Sequence, residues 1–323
     1  MALPDTETEP PGLLSMPAEI LDMIMEHFDL ETIQILRKVC HHIRSHIDNF
    51  PQDPYLTHIT IFQSRKRPNL ARDGYISVMY TSLKNQNIEV EYQKNGKNGC
   101  RILFENREKT IENQEFASVL GNDLGLILRN QNLEMTRIRF VFPPNPKSRL
   151  SENCLETFHG RFLAALTPHL ESRRTLIPTE KIHILGINQE SQIMKILQFL
   201  DPSSLELILI RFDKQRGFSS PTMKIDGLIG LDQWKQAKSI SIHGLNLASG
   251  IENFSHLERS AIELKQISVD ELMVLREVRS VCVSVYANVC QNIVVACLVV
   301  CLWYVLSVCP CMQMSVKILL WLA

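Results

Sequence analysis

Between residues 152 and 265 the chain alternates β-branched runs with amphipathic ones, and this alternation restricts its fold more than any other feature. Leu155, Phe158, Phe162, Leu166 and Leu170 recur at helical spacing and predict a helix over 152–172. Lys181-Ile182-His183-Ile184-Leu185 predicts a strand. A helix over 189–200 stops before Asp201-Pro202. Strands are expected at 205–211, 238–243 and 261–265, with a short helix over 228–236. A last helix over 268–278 opens on Ser268-Val269-Asp270-Glu271, which has the form of a capping box. Strands separated by helices specify parallel β–α units. A parallel sheet covered on both faces reads apolar throughout. Here Ile240 and Ile242 alternate with Ser239, Ser241 and His243, and Ile262 and Leu264 alternate with Glu263 and Lys265. One face of the sheet is therefore expected to meet water, as in a leucine-rich-repeat-like α/β body whose spacings are irregular.

Upstream, strands are predicted at 55–62, 75–83, 88–92 and 100–104. Lys94-Asn95-Gly96-Lys97-Asn98-Gly99 joins the last two as a hairpin, because Asn-Gly tolerates positive φ. A helix over 112–129 places Phe116, Leu120, Leu124 and Leu128 on one face, and a strand follows at 136–142. Pro143-Pro144-Asn145-Pro146 then makes the sharpest internal boundary.

The region 15–49 reads as three short helices. Pro17 suits a first helical turn, and Asp29 suits the cap of the next helix. Ile20, Ile24 and Phe28, then Leu30, Ile33, Leu36, Val39, Ile43 and Ile47, recur in steps of three and four. A unit of about 35 residues buries too little surface to be robust alone and gains stability from a partner and from the following chain.

The residues of this unit are more specific than its period. Met16-Pro17-Ala18-Glu19-Ile20, Ile24, and Leu36-Arg37-Lys38-Val39-Cys40 resemble an F-box, which opens Leu-Pro-x-Glu-Ile/Leu and carries a Val-Cys or Val-Ser pair later. Met16 replaces the Leu, and Ile43 stands where many F-boxes have Trp. The resemblance implies docking on a Skp-family adaptor through Met16, Pro17, Ile20, Ile24, Leu36 and Val39. That adaptor links the chain to a cullin and a ubiquitin-transfer enzyme; the F-box performs no chemistry.

A second resemblance lies in the body. Its elements are the run from Ile193 to Pro202 (IMKILQFLDP), Leu205-Glu206-Leu207-Ile208, Leu231-Asp232-Gln233-Trp234-Lys235-Gln236-Ala237-Lys238, Phe254-Ser255-His256-Leu257-Glu258 and Ile267-Ser268-Val269-Asp270-Glu271-Leu272. Together they resemble the FTH domain of nematode F-box proteins of the F-box A-type family, with Gln-Trp-Lys-x-Ala-Lys the most specific element. The expected division is F-box 12–56, strand-rich connecting region 57–148, FTH domain 149–279 and an apolar tail 280–323.

Composition narrows the function. A net charge of -1 over 323 residues gives no electrostatic case for direct nucleic-acid binding. Arg65-Lys66-Arg67 and Arg173-Arg174 read as solvated basic runs. The acidic, Pro-rich N-terminus lacks the pattern of a signal peptide, so a cytoplasmic or nuclear location is expected. Cys40, Cys100 and Cys154 are the only cysteines before residue 282, a reduced pattern. No Gly-rich phosphate loop, Gly-x-Ser-x-Gly or His-Glu-x-x-His occurs, and the reading calls for no enzyme, metal or cofactor. Trp234 reads as core, and His183 and His243 as solvated strand residues.

The tail differs from the rest. Residues 280–316 carry no charge; Val281, Val283 and Val285 alternate as a final strand would, and 289–308 is a candidate transmembrane segment. Two readings stand: a single-pass C-terminal anchor, or a gene model or splice form that replaces the usual soluble end. Cys282, Cys290, Cys297, Cys301, Cys309 and Cys311 lack zinc-site spacing and suit palmitoylation beside a membrane better. The expected function is the substrate-recognition adaptor of a Skp–cullin–F-box ubiquitin ligase, its protein target unidentified. The alternatives are a ligase-independent binding module and a tail-anchored interaction protein.

Overall fold

The computed structural model describes residues 16–36, 39–49, 53–62, 75–83, 87–96, 99–105, 107–142, 152–212, 221–247, 251–264 and 281–285. Helices α1 (Ala18–Met25), α2 (Leu30–Leu36) and α3 (His41–Asn49) form the N-terminal unit. The Pro17 carbonyl accepts from the Ile20 and Leu21 N–H groups, both at 3.1 Å, and starts α1. The Asp29 carboxylate accepts from the Thr32 N–H at 2.7 Å and caps α2, as its side chain predicts. Leu21, Met25 and Ile43 are buried at the centre, with Met16, Phe28, Ile33, Leu36, Cys40 and Ile47 packed around them. The inner face of α1 is therefore Leu21 and Met25, one position round from the Ile20–Ile24 stripe expected from spacing. A bend at Val39 and Cys40 also breaks the long stripe: Val39 is 63% exposed.

Among the described residues, thirteen strands join one mixed sheet. The first five are β1 (Leu56–Phe62), β2 (Tyr75–Ser82), β3 (Asn87–Asn95), β4 (Gly99–Phe104) and β5 (Arg107–Ile111). They form an antiparallel meander in which each strand pairs with the next. β5 has no apolar alternation to announce it; it is an exposed, charged edge, which resists pairing with another chain. Helix α4 (Phe116–Leu128) follows, and the Glu115 carboxylate accepts from the Ala117 and Ser118 N–H groups at 3.1 and 3.4 Å. Phe116, Leu120, Leu124 and Leu128 are all buried, as their period predicts.

From β6 (Met135–Val141) onward the pairing is parallel, and β6 lies beside β1. Helix α5 (Glu152–Glu171) leads to β7 (Thr179–Leu185), and α6 (Glu190–Leu197) leads to β8 (Leu207–Arg211). β9 (Thr222–Met223) comes next. The single helix expected over 228–236 is two, α7 (Asp226–Gly230) and α8 (Asp232–Gln236), because Leu231 is extended between them. β10 (Ser239–His243), β11 (Asn246–Leu247), a 3-10 turn (Ile251–Phe254), β12 (Arg259–Leu264) and β13 (Val281–Val285) complete the described elements. The helix expected over 268–278 lies outside the described residues.

Consecutive parallel strands are neighbours in the order β6, β7, β8, β10, β12, and β13 pairs with β12. α4 packs on α5, α5 on α6, and α6 on α7, so the helices form one layer on one face. In register beneath them lie Ile138, Ile182, Ile208 and Ile240, then Phe140, Ile184, Ile210 and Ile242, all buried. Each such side chain contributes roughly 1.5–3 kcal/mol of transfer free energy. On α5, Phe158, Phe162, Leu166 and Leu170 are buried as predicted; the Leu155 side chain lies outside the described residues. Gly186 and Gly244, at φ +88 and +74, end β7 and β10. A Cβ at either would sit 1.8 or 1.7 Å from the Phe142 or Phe212 carbonyl oxygen, so only Gly fits both backbone and space.

Candidate interaction surfaces

Two surfaces follow from this arrangement. The first is on the N-terminal helices. Because Leu21 and Met25 turn inward, Ile20 and Met23 turn out, at 43% and 61% exposure. Ile35 on α2 and Val39 after it are also exposed. Of the residues expected to dock a partner, Ile20, Val39 and Pro17 are exposed, Met16, Ile24 and Leu36 are half-buried, and Met16 and Leu36 also pack on the small core. Met23 and Ile35 join them on structural grounds alone; both lie off the stripe that the period suggested. The unit is braced internally by His46 of α3, whose Nε2 lies 2.9 Å from Asp22 Oδ1 of α1. Cys40 is half-buried and His41 and His42 are exposed, in keeping with core sulfur and solvated imidazoles.

The second surface is the sheet face opposite the helices. Across β6, β7, β8 and β10 the half-buried positions run in register as Arg137, Lys181, Leu207, Ser239 and as Arg139, His183, Leu209, Ser241. One face meeting solvent is what the strand alternation predicts. His183 is not the solvated residue expected from sequence. Its Nε2 is shielded from solvent without a hydrogen-bond partner among the described residues. Burial, then the charges of Arg137, Arg139 and Lys181, push its pKa down to about 4, so it is neutral at neutral pH. His243 sits 2.8 Å from the Ser241 hydroxyl through Nε2.

The Gln-Trp-Lys element belongs to neither surface. Trp234 is fully buried, its ring edge-on to Phe254 at 5.6 Å, and its Nε1–H donates to the Asn253 carbonyl at 3.3 Å. The Gln233 amide donates to the Leu200 carbonyl at 2.7 Å. These residues hold the body together. Among the described residues no group of three or more His, Cys, Asp or Glu side chains could hold a metal, and no helix is long and apolar enough to cross a membrane. The apolar run at 289–308 lies outside the described residues.

A small helical unit with outward apolar side chains, joined to a broad sheet with one open face, is the form of a two-part interaction protein. Comparison with protein families agrees: residues 13–53 match the F-box domain and residues 160–284 match the FTH domain. The chain is an F-box protein with an FTH domain. Both families are in general non-enzymatic adaptors. No curated protein and no solved structure matches the chain.

Proposed function

We propose that this protein is the substrate-recognition adaptor of a Skp–cullin–F-box ubiquitin ligase. The observation that carries the reading is the F-box match over a helical unit whose Ile20, Met23 and Val39 are exposed. Three short helices with so small a core gain stability when such side chains are covered by a partner. The sheet body, with sequential parallel strands in a leucine-rich-repeat-like order, supplies the target-binding part. The protein works in the cytoplasm or nucleus, where a cullin ligase is accessible.

The test is pull-down of the full-length chain with a purified Skp-family adaptor. Ile20→Asp combined with Val39→Asp abolishes capture. Both positions are exposed, so the melting temperature stays close to wild type. Equal capture by both proteins would reject the F-box docking surface.

A further inference from the structure

We infer that Arg137 and Arg139 on the open sheet face bind an extended acidic segment of a target protein, with carboxylates at alternating positions. The inference rests on the target-recognition reading of the sheet body and names the chemistry of the target.

Three observations support it. First, among the described residues the guanidinium groups of Arg137 and Arg139 lack a carboxylate partner, and the Nε of each is shielded from solvent without a hydrogen bond. A buried, unsatisfied donor on a charged group is costly, and a carboxylate satisfies a guanidinium with two parallel hydrogen bonds. Lys181, on the next strand beside Arg137, adds a third cation; its present partner, Glu180, is the adjacent residue in the chain.

Second, the spacing fits an extended peptide. Arg137 and Arg139 are two apart on β6, so they project on the same side about 6.6 Å apart. An extended segment presents its i and i+2 carboxylates at the same interval. The local field is positive, because Arg137, Arg139 and Lys181 stand around His183 on this face, and anions are drawn to it.

Third, the flanks are apolar. Val141 and Leu185 border the cations toward the strand ends, and Leu207 and Leu209 border them on β8. These are half-buried and leave the cations in a partly dehydrated setting, where ion pairs are less screened. On β6, β7, β8 and β10 this face carries no Phe, Tyr or Trp, and Phe62 of the neighbouring β1, in register with Val141, is a single ring at the border of the patch and no platform on which successive bases stack.

The experiment uses the full-length protein and a fluorescent peptide alternating Glu with Thr, read by anisotropy. The wild type binds this peptide but not its counterpart with Gln for Glu. Arg137→Gln with Arg139→Gln weakens binding by about tenfold or more. Arg139→Lys keeps charge and bulk, loses the bidentate contact, and gives a partial loss. Lys235→Gln, exposed on the helical layer, binds like wild type. Equal binding of the two peptides, or no effect of the Arg substitutions, overturns the proposal; so does tighter, Arg-dependent binding of oligouridylate. Removing residues 1–10 tests the chain's own Asp5-Thr6-Glu7-Thr8-Glu9, which has the same alternation. Unchanged affinity leaves the face to a partner, and a rise of about tenfold assigns it to the chain itself, against the proposal. Adaptor capture on the same samples separates this inference from the ligase reading: peptide binding lost with capture retained concerns the sheet face alone.

Discussion

The side-chain amide of Gln131 grips both backbone polar groups of Leu56: its Oε1 accepts from the Leu56 N–H at 3.0 Å and its Nε2 donates to the Leu56 carbonyl at 3.0 Å. Gln131 is fully buried just after α4, and Leu56 opens β1. The same turn is held from two other directions. The Asp53 carboxylate accepts from the Asn132 and Leu133 N–H groups at 2.8 and 2.7 Å, and Arg173 donates to the Gln131 carbonyl at 2.7 Å. Together these bonds fix Asp53 and Leu56 to the turn that follows α4. Gln131→Leu keeps the volume and leaves Leu56 with a buried N–H and C=O unpaired. The expected loss is about 2–5 kcal/mol, measured by thermal or urea unfolding. A variant as stable as wild type would show that the amide is not needed there.

Trp234→Ala removes the largest fully buried side chain of the body. It should destabilise the protein by about 3–5 kcal/mol. Trp234→Phe, which keeps most of the contact with Phe254, should lose much less. A near-native melt of the Ala variant combined with lost target binding would make Trp234 a contact residue instead.

His159 makes stability depend on pH. Its ring is buried against Phe142 at 4.8 Å, and burial lowers its pKa from 6.5 to about 4. Below the ordinary His value the unfolded chain takes up a proton that the folded chain refuses until about pH 4. Stability therefore falls as pH drops from 6.5 to about 4 and levels off below. His183 acts in the same direction. His159→Leu should shrink the difference in unfolding free energy between neutral pH and about pH 5 by about 2 kcal/mol. An unchanged pH profile would assign the dependence to other groups.

The uncharged tail is tested by carbonate extraction of the full-length chain. As a membrane anchor, 289–308 keeps the protein in the pellet. Val300→Arg then costs about 2.5–3.5 kcal/mol of insertion free energy and moves it to the soluble fraction or to aggregates. A wild-type chain that is soluble and monodisperse removes the membrane reading and leaves the replaced-end reading.

Much of the architecture was legible in the residues because it is written in local periods. The steps of Phe116, Leu120, Leu124 and Leu128 and the alternation of Ile240 and Ile242 specify a helix face and a strand face without reference to anything distant. The short strands β5, β9 and β11 were not legible, since five or fewer residues with little apolar content carry no period. The break at Leu231 was hidden because the apolar spacing runs straight through it.

The interaction surfaces divide in the same way. Sequence alone supplied the F-box residues and the FTH element, and its strand alternation indicated that one face of the sheet would meet water. Only the tertiary structure decided that Leu21 and Met25, not Ile20 and Ile24, face the small core, which turns Ile20 and Met23 outward. It also decided that Arg137, Arg139, Lys181 and His183 share one patch. Those residues are some 40 positions apart in the chain, and neither strand records which other strand it will lie beside. Register between parallel strands is set by how their buried rows and the helices between them pack, a property of the assembled sheet.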